Sequence, residues 1–135
     1  MYYHVKTKFQ QTQPDGTIKT KSEELIIDVE FFAQAEMTAT LNYTNEEDVD
    51  VYSIKRLTRL KEIINTPEDG DTIYIATLKD VYVDEVSGKE KELKYDVLVY
   101  ATDTNKANQI INVFMQQGYD MKLHGIHETK ITEVI

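Results

Sequence analysis

The sequence predicts an α+β fold of two tandem β-β-α-β units forming one pseudo-twofold domain. Three observations predict it. Shifting the 135-residue chain on itself by 72 positions repeats its order of apolar segments. The shift brings Tyr2 onto Tyr74, Gly16 onto Gly88, Lys19 onto Lys91, Ala35 onto Ala107, Asp48 onto Asp120 and Ile54 onto Ile126. Each half has a turn signal between two strand-like runs, Asp15-Gly16 and Ser87-Gly88. A helical pattern then follows each hairpin.

The elements read as follows. Tyr3-His4-Val5-Lys6-Thr7-Lys8-Phe9 alternates as a half-buried strand does, and a return strand runs from about Ile18 to Val29. Asp-Gly favours a two-residue turn, because type I′ geometry needs positive φ at both central positions. The first helix, about Phe32 to Tyr43, draws its stripe from Ala35, Ala39 and Tyr43; a strand from Val49 to about Leu57 closes the unit. Asn65-Thr66-Pro67-Glu68-Asp69-Gly70-Asp71 reads as a linker. The second unit repeats the order with strands Ile73 to Asp84 and Lys89 to Tyr100. Asp103 is a helix N-cap, Ala107, Ile110, Ile111 and Phe114 form a stripe at i, i+3, i+4 and i+7, and Gly118 is a helix stop. Met121 to about Glu128 is its last strand. The expected organisation is one domain over 1–135, with unit one at about 1–64, the linker at 65–71 and unit two at about 72–135. The expected core holds Leu25, Ile27, Val51, Val97, Val99, Ala107, Ile110, Ile111, Phe114 and Leu123.

Composition bounds the function. Fifteen Lys and Arg against 24 Asp and Glu give a net charge of −9, which opposes broad binding to nucleic-acid phosphate. No cysteine is present, so disulfides, thiolate zinc sites and a cysteine nucleophile are excluded, and a reducing cytoplasm fits. No apolar run approaches the roughly 20 residues of a membrane helix, and the N-terminus has no signal-peptide pattern.

Chemistry-bearing motifs are sparse. His124 and His127 lie three apart on a strand, on opposite faces, so no metal ion is expected there. The carboxylate groups Glu23-Glu24, Glu46-Glu47-Asp48 and Asp84-Glu85 fall near turns, where nothing raises one acid above another for acid–base work. The five glycines form no phosphate-binding motif. No catalytic residue, organic cofactor or small-molecule substrate is expected.

Two surfaces stand out. A two-residue Asp15-Gly16 turn would pair Thr12 with Lys19, Gln10 with Lys21 and Lys8 with Glu23, gathering Lys6, Lys8, Lys19 and Lys21 on one hairpin face. Lys55, Arg56, Arg59 and Lys61 add a second basic cluster in the same unit, with Tyr2, Tyr3 and Phe9 near in sequence. Bases interleaved with aromatics on a sheet suit single-stranded nucleic acid. In the second unit the corresponding face carries Asp80, Tyr82, Leu93 and Tyr95. Tyr82, Leu93 and Tyr95 are therefore candidate protein contacts, for self-association or a foreign partner.

The chain also resembles an uncharacterised domain-of-unknown-function family from Bacteroidota and their phages. The resemblance spans nearly the whole chain. It rests on Tyr3-His4-Val5-Lys6-Thr7-Lys8, Ser53-Ile54-Lys55-Arg56, Asp84-Glu85-Val86-Ser87-Gly88-Lys89-Glu90-Lys91, Leu98-Val99-Tyr100-Ala101-Thr102-Asp103 and Ile126-His127-Glu128-Thr129. The family often opens with Trp where this chain has Tyr2-Tyr3. The resemblance lends no catalytic residues, and it implies a small cytoplasmic protein encoded by a phage or prophage. The expected function is a non-enzymatic interaction module, with single-stranded nucleic-acid binding as the alternative.

Overall fold

A computed structural model describes residues 1–117 and 121–135. Its elements run β1 (Tyr2–Thr12), β2 (Ile18–Asp28), α1 (Phe32–Asn42), β3 (Glu47–Arg56), β4 (Leu60–Ile63), β5 (Thr72–Val83), β6 (Glu90–Ala101), α2 (Thr104–Met115), β7 (Met121–Glu128) and β8 (Ile131–Val134). The fold is mixed α+β, with two helices and eight strands in two four-stranded sheets. Gly118, expected as a helix stop, and Asp120, matched with Asp48, lie outside the described residues.

The chain divides into two compact units, and they do not follow its linear halves. Unit 1 is Met1–Thr58 with Lys130–Ile135, and unit 2 is Arg59–Thr129. Residues 65–71, read as the linker, lie within unit 2 and join β4 to β5.

In unit 1 the sheet order is β3-β1-β2-β8. The alternating β1 residues Tyr3, Val5 and Phe9 face α1 with Leu25 and Ile27 of β2, and all five are buried. Each such large side chain removed from water contributes on the order of 1.5–3 kcal/mol. The helix meets this face through Ala35 and Ala39, whose small side chains bring its backbone close to the sheet. Phe9 stacks on Tyr43 with ring centroids 4.8 Å apart, and Tyr3 meets Phe32 edge-on at 6.2 Å. β8 runs parallel to β2, pairing Glu24 with Ile131 and Ile26 with Val134. Ile26 and Ile131 are buried, Ile26 on the sheet face away from α1.

In unit 2 the order is β4-β6-β5-β7, with β4 parallel to β6. Tyr74, Ala76, Leu78, Val97 and Val99 form the helix-side core with Ala107 and Ile111. Asp103 caps α2 as its sequence predicts, its Oδ1 accepting the Lys106 N–H at 2.7 Å. Ile110, Phe114 and Leu123 are half-buried against this core, as Val51 is in unit 1, whereas the other expected core residues are buried. Asn65 extends the β4–β6 pairing with its side chain: Nδ2 donates to the Tyr100 carbonyl at 2.7 Å, and Oδ1 accepts the Tyr100 N–H at 2.8 Å.

The two short strands, Leu60–Ile63 and Ile131–Val134, were not among the elements read from the sequence. Four residues hold too few alternations to show a period. Each is the last strand of one linear half and pairs within the sheet built from the other half.

Candidate functional site

The first hairpin departs from its expected register. Thr12 pairs with Ile18, Gln11 with Lys19, Phe9 with Lys21, Thr7 with Glu23 and Lys6 with Glu24. Pro14 sets φ at the first central position of a type I turn, closed by the Gly16 N–H donating to the Gln13 carbonyl at 2.9 Å. Gly16 then takes φ +86° while Asp15 keeps negative φ, so the loop has three residues and type I′ geometry is absent. A one-residue slip exchanges faces. Lys6 and Lys8 therefore lie on the face away from α1, and Lys19 and Lys21 lie on the helix side. The expected single face of four lysines is corrected to two pairs on opposite faces.

The second basic cluster also separates. Lys55 pairs with His4 and joins Lys6 and Lys8 on the face away from α1, whereas Arg56 pairs with Tyr3 on the other. Arg59 and Lys61 belong to unit 2, where an Arg59 guanidinium nitrogen lies 3.5 Å from Asp96. A bulge in β3 between Ser53, opposite Lys6, and Val51, opposite Thr7, leaves Tyr52 as the extra residue. Lys8 Nζ sits 4.7 Å from the centre of the Tyr52 ring. Sequence alternation gave no sign of Tyr52, because a bulge breaks the period that assigns faces.

On the face away from α1 His4 Nε2 and Glu24 Oε1 are 2.7 Å apart, which engages the nearest acid. On the helix side the Tyr43 hydroxyl donates to Glu23 Oε2 at 2.8 Å. Burial and then this bonded carboxylate push the phenol well above its usual range. The Thr7 hydroxyl is buried with no hydrogen-bond partner.

In unit 2 Leu78 pairs with Tyr95, Asp80 with Leu93 and Tyr82 with Lys91. These residues share the helix-side face, but they differ in access. Tyr82 and Leu93 are 48% and 52% exposed. Tyr95 instead packs against the core, its hydroxyl 2.6 Å from Met121 Sδ, with burial and the Asp80 charge raising its pKa. Among the described residues β7 pairs with β5 only from Tyr74 to Asp80, and Val81–Val83 pair with Glu90–Glu92 in the outer part of the hairpin, termed the arm. Val83 and Val86 are exposed on it. At its tip Lys91 Nζ lies 2.6 Å from Asp84, whose other oxygen accepts the Val86 N–H at 2.8 Å.

Beside α2, unit 2 has a cleft of about 440 Å³ floored by Ile64, Ile110, Val113 and Phe114, with Glu62 and Lys106 at its rim. Among the described residues its lining holds no hydroxyl, thiol or imidazole. A second cleft of about 370 Å³ shares Lys106 and Ile110 and adds Asn65, Glu68 and Asp71. In β7, His127 pairs with Ile75, and His124 falls in a bulge between Gly125 and Leu123. Among the described residues no three potential metal ligands cluster, and no described helix is long and apolar enough to cross a membrane.

The family model for Domain of unknown function (DUF4494) matches residues 1–135. The chain belongs to this family. No curated protein and no solved structure matches it. For this DUF4494 protein, function is therefore argued from its surfaces.

Proposed function

We propose that this DUF4494 protein is a non-enzymatic interaction module built from two copies of one β-β-α-β unit and acting through protein contacts. The agreement of the two sheets supports the duplication. Tyr3 opposite Ile27 corresponds to Tyr74 opposite Val99, one residue off the match of Tyr2 with Tyr74 that the 72-residue shift gives, and each sheet has a bulge at the matching rung, at Tyr52 and at His124. The family resemblance supports a cytoplasmic protein of phage or prophage origin.

The observation that carries the interaction reading is the β5–β6 arm, which holds Tyr82 and Leu93 diagonally adjacent and half-exposed on one face. Solvated apolar pairs on a projecting hairpin favour burial against another protein. The partner proposed is a second copy of the chain. Along that face the order is Asp80 and Leu93, then Tyr82 and Lys91. A twofold axis through the apolar pair would set each Lys91 near the other copy's Asp80, so the pattern complements itself. A contact of this size belongs to the weak, transient class.

Sedimentation velocity over a concentration series tests it. Reversible dimerisation is expected, weakened by Leu93→Lys and by Tyr82→Ser and unchanged by Val113→Ser at the α2 cleft. A strict monomer up to the solubility limit, or a dimer indifferent to both arm variants, overturns the self-association reading.

A further inference from the structure

We propose that the face of the unit 1 sheet away from α1, where Lys8, Tyr52 and Lys55 are exposed, is a binding site for single-stranded nucleic acid. It is separate from the β5–β6 arm and does not rest on the arm's function. Lys6 and Lys8 from β1 and Lys55 from β3 share this face, and none makes an ion pair among the described residues. The β3 bulge adds Tyr52, 45% exposed, with the Lys8 ammonium at its ring. Ser53 opposite Lys6, and Ser22 opposite Lys8, add hydroxyl donors on the same face. A base stacked on Tyr52 would bring its flanking phosphates toward Lys8 and Lys6, the combination by which flat sheets hold unpaired strands. Duplex binding would instead use a helix or ribbon fitted to a groove, and stacked bases offer no face to Tyr52.

The acids on this face set the direction of the strand. Glu24 is engaged by His4, while Asp50 opposite Lys8 and Glu47 opposite Gln10 lie toward the hairpin tip. A polyanion would therefore run over Lys6, Lys55 and Tyr52 and stop short of Glu47. The matching rungs of unit 2 carry a different set. Thr77 stands at the position of Lys6, His127 at that of Lys55 and His124 at that of Tyr52, while Lys79, at that of Lys8, lies between Lys94 and Lys122 and is 3.9 Å from Glu92. Unit 1 has Thr20 where unit 2 has Glu92, so no acid faces Lys8 from that position. With a whole-chain charge of −9, and with Glu24, Asp28, Asp50 and Glu47 on the same face as the three lysines, binding depends on phosphates reaching Lys6, Lys8 and Lys55 directly and weakens steeply with salt.

Fluorescence anisotropy of a labelled oligothymidylate of roughly 20 nucleotides, longer than one site, tests the proposal. Binding at low salt is expected. Replacing Lys6, Lys8 and Lys55 by Ala should lower affinity at least about tenfold and flatten the log–log salt slope by roughly 2, at about 0.7 per lost phosphate contact. Lys8→Ala and Lys55→Ala, both at exposed positions, should each give part of that loss with an unchanged melting temperature. Lys19→Ala with Lys21→Ala, on the opposite face, should change little. Tyr52→Ala should weaken oligothymidylate binding by about fivefold or more, as loss of one stacked base does, and leave an abasic strand of equal charge unaffected. No anisotropy change at low salt overturns the proposal. So does an equal loss from the Lys19 and Lys21 variant. Equal affinity for the abasic strand, with indifference to Tyr52→Ala, also overturns it and identifies an unspecific polyanion surface such as an acidic protein would use.

Discussion

The sheets of units 1 and 2 share strand order and a bulge, at Tyr52 and at His124, and diverge where their side chains meet water. Helix-side positions keep apolar character: Tyr3 and Tyr74, Val5 and Ala76, Leu25 and Val97, Ile27 and Val99. On the far face, unit 1 sets Lys6, Lys8 and Lys55 beside Tyr52, where unit 2 sets Thr77, His127 and a row of three lysines, Lys79, Lys94 and Lys122, beside His124. The two hairpins match in length, and near the tip unit 1 sets Gln11 and Lys21 where unit 2 sets Tyr82 and Leu93. The shared backbone plan is a packing requirement, and the surfaces laid on it are free to serve different contacts.

The largest expected effect breaks the comparison at its shared edge strand. Ile131→Asp puts a carboxylate where Ile131 is 6% exposed, at a cost of about 3 kcal/mol or more. Although residue 131 belongs to the second half of the sequence, hydrogen exchange should quicken at Glu24–Ile26 of unit 1 before it quickens in unit 2. Leu60→Asp should reverse that order. Exchange rising equally in both units for either variant would refute their separateness.

A middle-sized effect sharpens the comparison in the core. Thr7 stands at the rung that Leu78 fills in unit 2, with its buried hydroxyl unbonded. Thr7→Val keeps the shape, removes the orphan and should stabilise by about 1 kcal/mol in chemical denaturation. Leu78→Thr makes the reverse exchange and should cost about 3 kcal/mol. A destabilised Thr7→Val protein would show that the hydroxyl has a role in the core.

The smallest effect concerns the arm. The Lys91 ammonium, with the Val86 and Ser87 N–H groups, holds the Asp84 carboxyl below its ordinary value of 3.8. A depressed acid stabilises the fold above its unfolded pKa, and that contribution disappears as pH falls through the folded value. Cross-strand NOEs between Tyr82 and Lys91 should fade below about pH 3.8, before those between Tyr3 and Ile27. Asp84→Asn should make the arm indifferent to pH over that range.

The same contrasts explain what could be read in advance. The hairpins, the α2 stripe and the Asp103 cap were legible because each rests on local chemistry: alternation, turn residues and a short acidic side chain before a helix. Three features were not. β4 and β8 are too short to carry a period and exist through pairing with β6 and β2. Pro14 altered the turn type, and one residue of slip sent Lys19 and Lys21 to the helix side. Tyr52 reached the face away from α1 through a bulge that depends on the facing strand. The basic site was legible as a composition of lysines and an aromatic, but its membership needed the register.

The exchanged edge strands also set an order of assembly during synthesis. Thr132 Oγ1 donates to the Glu24 carbonyl across 108 residues of chain, whereas unit 2 is drawn from the continuous run Arg59–Thr129. Contacts so distant in sequence form slowly, and a ribosome delivers the chain from its N-terminus. Unit 1 therefore starts first and finishes last. Its β2 edge at Glu24–Ile26 waits unpaired until Ile131–Val134 emerge, and during that interval a nascent chain is most open to pairing with a neighbour on the same message.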